Sequence, residues 1–166
     1  IGFCQPQELP EEDQTLLNAA QGATLNSYSP YSHFAVGAAL RLADGTVITG
    51  ANQENAAFPS GLCAERTAIF AAQAQHPDQP IDTLAIAARN SHGLTREPIV
   101  PCGSCRQFLQ EFSKHMIVLC AKGDGSFVSH KLSEMMPFFF YGTDGVYVIS
   151  SVKDILPLSF IGESMK

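Results

Sequence analysis

The chain has 166 residues, of which 45% are hydrophobic and 16% charged, so it can bury a core and is not an intrinsically disordered protein. Its net charge of −6 argues against a surface that follows nucleic-acid phosphates. Without a run of about 18 apolar residues, no membrane-spanning helix is expected. The length fits a single domain, 1–166, with small molecules or proteins as partners.

The first predicted helix lies in the segment LPEEDQTLLNAAQGATLNSYS, where Leu16, Leu17, Ala20 and Leu25 follow one another at helical spacing. The next two apolar runs, FAVGAALRL and TVITGAN, are typical of β-strands. The residues Ala-Asp-Gly between them predict a hairpin turn.

Two more helices and two buried strands are predicted further along the chain. The segment CAERTAIFAAQAQ has an apolar stripe through Ala64 and Ala68, and we expect Phe70 to belong to the buried face. TLAIAA and MIVLCA are typical of buried strands, and PCGSCRQFLQEF predicts a loop that becomes a helix. Alternating strands and helices indicate an α/β sandwich, with a further strand expected at VYVISS.

The chemistry of the sequence centres on three cysteines. Cys102 and Cys105 form a C-x-x-C motif at the start of a helix, where two sulfurs can converge and the helix dipole favours thiolates. Such a pair alone fits either a redox dithiol or half of a zinc site. A third cysteine, Cys63, also opens a helix, and three protein ligands with one open position are typical of catalytic zinc.

Glu65 follows Cys63 by two residues and can lie beside the open position without binding the metal. A carboxylate within hydrogen-bond reach of a zinc-activated water can move its protons. The order of ligand-x-Glu and then P-C-x-x-C is that of zinc deaminases, which include a three-cysteine variant.

With these residues the chain resembles cytidine deaminases of the small, homotetrameric, three-cysteine type. The resemblance covers 27–40, 52–72 and 101–112, and extends to the tail. It implies a three-layer α-β-α sandwich with a mixed central sheet of about five strands. It also implies hydrolytic deamination of cytidine and 2′-deoxycytidine in pyrimidine salvage. One Zn²⁺ per chain and a homotetramer belong to the same expectation. A cytoplasmic location is expected from the cysteines, which suit metal binding in a reducing compartment better than disulfides.

The resemblance also implies roles for individual residues. Cys63, Cys102 and Cys105 would hold zinc, and Glu65 would be the catalytic proton shuttle. Arg66 would offset the net charge of −1 that three thiolates leave on Zn²⁺.

Substrate-binding roles follow from the same resemblance: Phe34, Asn52, Glu54 and Ala64 would contact the nucleoside. Phe160 would reach a neighbouring subunit's site and stack on the base, with Phe140 as the other candidate for that role. Phe58 stands where many relatives have a tyrosine.

Three alternatives remain open at this point. One is a related zinc deaminase that acts on a modified or antibiotic pyrimidine nucleoside. The others are a non-catalytic domain stabilised by zinc and a thiol redox protein. The sequence Asn-Gln-Glu-Asn at 52–55, which suits ribose binding, weakens the first of these alternatives.

Overall fold

The computed structural model describes residues 2–4, 9–113, 115–135, 138–142 and 145–149. Within these ranges the chain forms three α-helices and nine β-strands. In chain order they are β1 (Gly2–Cys4), α1 (Glu11–Ala23), β2 (Ala35–Leu42), β3 (Val47–Ala51), α2 (Ala64–Gln75), β4 (Ile81–Asn90), β5 (Gly93–Leu94), α3 (Gly103–Phe112), β6 (Ile117–Ala121), β7 (Phe127–Lys131), β8 (Phe138–Gly142) and β9 (Gly145–Ile149).

One mixed sheet organises the molecule, with strand order β1-β7-β6-β4-β2-β3 and the short β5 beside β4. The pair β4 and β6 is parallel, and every other described pair in this sheet is antiparallel. A parallel pair needs a crossover connection, and α3 lies in the segment that joins β4 to β6. The five strands β7, β6, β4, β2 and β3 confirm the expected mixed sheet. The strands β8 and β9 form a separate hairpin.

The helices cover both faces of the sheet. Alternate residues of a strand point to opposite faces, so the residues of one strand contribute to two cores. Leu84 and Ile86 of β4 belong to the core that includes residues of α2 and α3. Ala85 and Ala87 belong to a second core that includes residues of α1. Both faces of β4 are therefore buried, which explains its nearly continuous apolar sequence. None of the described helices is long and apolar enough to span a membrane.

Two apolar residues were placed wrongly by the sequence pattern. Leu25 is 74% exposed and lies in a 3₁₀ turn, Thr24–Asn26, because α1 ends at Ala23. Phe70 is 42% exposed, since a residue two positions from Ala68 lies about 200° around a helix from it. The ring of Phe70 instead contacts the ring of Phe108 edge-on, with centroids 5.1 Å apart.

Candidate functional site

Two helix N-termini bring the three cysteines together. Cys63 is the N-cap of α2 and Cys102 is the N-cap of α3, while Cys105 lies in the first turn of α3 and is fully buried. The three Sγ atoms lie within 4.8 Å of one another, although Cys63 and Cys102 are 39 residues apart in sequence. Among the described residues, these three cysteines form a group of potential ligands whose atoms lie close enough together to hold a metal ion.

The spacing of the sulfurs fits a zinc ion. A tetrahedral zinc with Zn–S bonds of about 2.3 Å separates its sulfur ligands by about 3.8 Å. The Sγ atoms of Cys63 and Cys102 are 3.9 Å apart, and neither belongs to a disulfide. Three sulfur ligands leave a fourth coordination position open for a reacting molecule.

The electrostatics of the site favour a thiolate. The pKa of Cys63 is lowered to about 5, first by a hydrogen bond from Cys105 and then by hydrogen bonds from Arg66 and Cys102. The Cys63 sulfur and burial in turn raise the pKa of Cys105. Because thiolates are the form that binds metals, a negative sulfur at the start of α2 prepares the site for a cation.

Glu65 lies beside the cysteines in the first turn of α2 and is only 5% exposed. Burial raises the pKa of its carboxyl above the usual value, and the charge of Cys63 acts in the same direction. A buried carboxyl next to a metal site can transfer protons between water and a bound substrate.

Arg66 follows Glu65 in α2 and contacts one of the cysteines. Its Nη2 atom is 3.8 Å from Sγ of Cys63 and donates a hydrogen bond to the carbonyl oxygen of Gly61 at 3.3 Å. Its Nε atom is buried and lacks a hydrogen-bond partner among the described residues. The guanidinium group thus contacts one of the three sulfurs, as a compensating cation would.

A cavity of about 430 Å³ opens in front of the thiols and Glu65. Of the residues predicted from the sequence, those that line it are Asn52, Glu54, Cys63, Ala64, Glu65, Arg66 and Cys102. Residues that the sequence analysis missed include Val36, Ile99 and Val100, which add an apolar wall. Ile99 and Val100 directly precede Pro101 and the C-x-x-C motif. This position next to predicted metal ligands is the sequence signal that could have placed them at the cavity.

The polar rim of the cavity is built by Asn52 and by its neighbours in the chain. The Oδ1 atom of Asn52 accepts hydrogen bonds from Ser27 Oγ (2.6 Å) and from the amide of Val36 (2.8 Å). Its Nδ2 atom donates one hydrogen bond to the carbonyl of Phe34 (3.0 Å). An amide nitrogen carries two N–H donors, so one donor remains for a molecule in the cavity.

Glu54 holds the loop opposite Asn52 through its carboxylate. Its Oε2 atom accepts hydrogen bonds from the amides of Tyr31 (2.9 Å) and Ser32 (3.2 Å). Hydrogen bonds from Ser32 and from the amide of Tyr31 lower the pKa of Glu54, so the group is a carboxylate at neutral pH. Its other oxygen, Oε1, is the one available to accept a hydrogen bond from a ligand.

Of the aromatic residues considered from the sequence, Phe34 and Phe58 can be placed relative to the cavity. Phe34 is half-buried but is not among the described residues that line the cavity, whereas Val36 is. Phe58 lies at the rim, is 78% exposed, and contacts the ring of Tyr31 with centroids 6.1 Å apart. Phe160 lies outside the described residues, and of Phe140 only its place in β8 is described.

Comparison with known families and proteins places this site in context. Residues 10–121 match the family model described as the cytidine and deoxycytidylate deaminase zinc-binding region. A cytidine deaminase from Halalkalibacterium halodurans is 39% identical over 132 residues, which are 79% of this chain and 96% of that protein. A cytidine deaminase from Mycobacterium tuberculosis is 42% identical over 105 residues, or 62% of this chain and 74% of that protein.

A solved structure shows the same fold. The crystal structure of a cytidine deaminase from Burkholderia pseudomallei superposes with a TM-score of 0.69 and 35% sequence identity. The match covers 78% of this chain and 98% of that one. Both the sequence and the architecture are therefore shared with this group of proteins.

Proposed function

Since the chain belongs to the cytidine and deoxycytidylate deaminase zinc-binding family, we propose that it hydrolyses cytidine and 2′-deoxycytidine to uridine and 2′-deoxyuridine with release of ammonia. One observation carries this proposal: three thiols converge, and two of them, Cys63 and Cys102, line one cavity together with the buried Glu65. The curated relatives that match most of their own length are cytidine deaminases, which supports the choice of reaction.

The metal centre of this proposal consists of Cys63, Cys102 and Cys105, which hold one Zn²⁺. Zinc, when bound, supplies a Lewis acid that makes water acidic enough to attack at neutral pH. Arg66 offsets the negative charge of the thiolates through its contact with Cys63. The N-termini of α2 and α3 add positive dipole ends at two of the ligands, which favours their thiolate form.

Glu65 moves the protons of the reaction. It takes one proton from the attacking water and delivers it to N3 of the pyrimidine ring, which makes C4 more electrophilic, and the water oxygen forms a bond to C4. It then passes the second proton of the water to the amino nitrogen on C4. The C4–N bond breaks, ammonia leaves, and the oxygen remains on C4 as a carbonyl. Burial of Glu65 excludes bulk water that would compete for these protons.

Asn52 and Glu54 bind the sugar. The remaining Nδ2 donor of Asn52 and the Oε1 acceptor of Glu54 suit a ribose hydroxyl, which both donates and accepts hydrogen bonds. The backbone of Ala64, which lines the cavity beside Glu65, contacts the base. Phe34 supports this rim through its carbonyl, which is bonded to Asn52, while Val36 provides the adjacent wall.

The active enzyme in this proposal is a homotetramer in which residues 1–166 of each subunit form one domain. Phe58 is exposed at the rim of the cavity and contacts the exposed ring of Tyr31, so an apolar partner at the rim would bury both rings. Phe160 of a neighbouring subunit stacks on the base there. Free nucleosides, rather than nucleic acids or membranes, are the partners, which suits the net charge of −6. The free thiols of the site suit a reducing cytoplasm.

The direct test is the fall in ultraviolet absorbance as zinc-loaded protein converts cytidine. We expect turnover by the natural chain and a loss of at least about a hundredfold in Glu65→Gln, which cannot shuttle protons. Glu11→Gln is the matched control, because Glu11 occupies the first turn of α1 and is exposed. Absence of turnover by the natural chain, or full activity of Glu65→Gln, contradicts the proposal. Turnover of modified pyrimidine nucleosides alone would identify the alternative substrate class.

A further inference from the structure

Arg106 makes two side-chain hydrogen bonds that connect the metal ligands to the core. It follows Cys105 directly in α3. Its Nε donates to the carbonyl oxygen of Pro101 at 2.7 Å, and its Nη1 donates to the carbonyl oxygen of Met135 at 2.6 Å. Two N–H groups of one planar guanidinium thus hold two backbone carbonyls in a fixed relation.

Cys102 is the cysteine that most needs such support. Cys105 is fully buried, and Cys63 is half-buried, but Cys102 is exposed, and its side chain makes no capping hydrogen bond to α3. Helix ends fray, so the residues that precede an exposed N-cap help to hold it in place. Pro101 is the residue before it, and the orientation of the Pro101 carbonyl sets the peptide plane that leads into Cys102.

The other end of the connection is well anchored. Met135 ends the 3₁₀ turn Leu132–Met135, in which both end residues are buried. The amide of Leu132 donates to the carbonyl of Met116 at 3.0 Å, which ties the turn to the residue before β6. Arg106 therefore joins the peptide at Pro101 to a part of the structure that is packed against the sheet.

We propose that Arg106 is a positioning residue for the metal centre, which holds Cys102 in ligating geometry by fixing the carbonyl of Pro101 to that of Met135. The proposal rests on zinc binding by the three cysteines, as in the proposed function. It gives Arg106 a role distinct from that of Arg66. Arg66 contacts a ligand sulfur, whereas Arg106 acts on the backbone that carries one.

The test is the rate at which zinc leaves the loaded protein for a chromophoric chelator. We expect Arg106→Met to release zinc about 10- to 100-fold faster, the usual effect of losing a residue that orients a metal ligand. Arg106→Lys should release zinc at a rate between those of the natural chain and Arg106→Met, because an ammonium group cannot reproduce the planar fork of the guanidinium. In the Co²⁺-substituted protein, the sulfur-to-metal absorption band of Arg106→Met should weaken or shift.

Arg41→Met is the matched control. It also removes a hydrogen-bonded guanidinium, but one whose partners are acidic and hydroxyl side chains away from the site. Arg41 is bonded to Asp13, Asp82 and Thr83. Its zinc release and cobalt spectrum should match those of the natural chain, whatever its loss of stability.

Three results would overturn the proposal. They are unchanged zinc release in Arg106→Met, an equal change in Arg41→Met, and a lysine variant that matches the natural chain. If Arg106→Met fails to fold, Arg106→Lys and Arg106→Gln carry the measurement. Zinc release that accelerates as expected in a protein without cytidine turnover would support the role of Arg106 and contradict the proposed function, so the two can fail separately.

Discussion

Gly50 of β3 lies so close to Ala68 of α2 that a β-carbon on Gly50 would stand 2.4 Å from the Ala68 amide nitrogen. The same β-carbon would be 2.7 Å from the carbonyl oxygen of Ala64. Both contacts are with backbone atoms, which cannot rotate away as a flexible side chain can. Because Cys63 and Glu65 stand at the beginning of α2, Gly50 sets how closely these groups approach the sheet.

We expect Gly50→Ala to push α2 outward and to lower the free energy of unfolding by about 1–3 kcal/mol. Turnover should fall further than stability alone explains, because a small displacement of Glu65 disturbs the reacting geometry. Denaturant unfolding and steady-state kinetics measure the two effects. Gly22→Ala is the control: a β-carbon there meets nothing within 4 Å in α1, so this variant should be about 0.5–1 kcal/mol more stable. Natural stability and activity in Gly50→Ala would contradict the packing argument.

Cys102 and Cys120 should respond differently to removal of the thiol. Cys102→Ala should lose bound zinc and turnover, because two remaining sulfurs are too few for a catalytic zinc site. Cys120 is buried in β6, and burial raises the pKa of its thiol to about 12, so it stays neutral. Cys120→Ala should keep one zinc per chain by elemental analysis and lose only about 1–2 kcal/mol of stability. If Cys120→Ala loses zinc while Cys102→Ala keeps it, Cys102 is not the metal ligand and the assignment of the two cysteines is wrong.

Glu54→Gln should weaken nucleoside binding without disrupting the rim. The amide oxygen of glutamine can still accept from Tyr31 and Ser32, but the charged acceptor for the sugar is lost. We expect KM to rise about tenfold, as for one charge-assisted hydrogen bond, while kcat changes little. Asn52→Ala should also destabilise the fold, since it removes three protein hydrogen bonds. Glu97→Gln, at an exposed position, serves as the kinetic control.

The contribution of Glu54 to stability should depend on pH. Hydrogen bonds lower its pKa in the folded state, so its contribution is fully present above the unfolded pKa of about 4.3. It is lost as the pH falls through the lower, folded value. The difference in melting temperature between the natural chain and Glu54→Gln should therefore shrink on acidification. A difference that stays constant to about pH 3 would show that the carboxylate is not bonded in this way.

Arg41 should matter for stability and not for zinc. Its guanidinium lies 2.5 Å from Asp13 of α1 and 3.1 Å from Asp82 of β4, and the side chains of Arg41 and Asp13 are mostly buried. Removal of the cation leaves the Asp13 carboxylate without this ion pair in a partly buried position. We expect Arg41→Met to cost about 1.5–3 kcal/mol in denaturant unfolding, with zinc content unchanged. Arg41→Lys should restore part of the loss, and full stability of Arg41→Met would contradict the prediction.

Much of the fold could be predicted from local pattern. The hairpin of β2 and β3, the buried strands β4 and β6, and all three helices follow from apolar periodicity and turn residues within a few positions of one another. The strands β1, β5, β7 and β8 were not predicted; β1 and β5 have only three and two residues, and the sequence of β7, FVSHK, does not continue an apolar pattern. The positions of Leu25 and Phe70 were wrong, since the exact end of α1 and the buried side of α2 depend on what each helix packs against.

The sequence by itself determined the chemical groups of the site: three cysteines, a glutamate and an arginine at two helix starts. Residue type and local order suffice for this, because metal and proton chemistry require particular atoms. Only the tertiary structure decided that Cys63 and Cys102 lie 3.9 Å apart, that Val36, Ile99 and Val100 form the apolar wall, and that Gly50 and Arg106 support the ligands. Such relations depend on how β3, α2 and α3 pack against one another, and no local pattern encodes a contact between residues tens of positions apart.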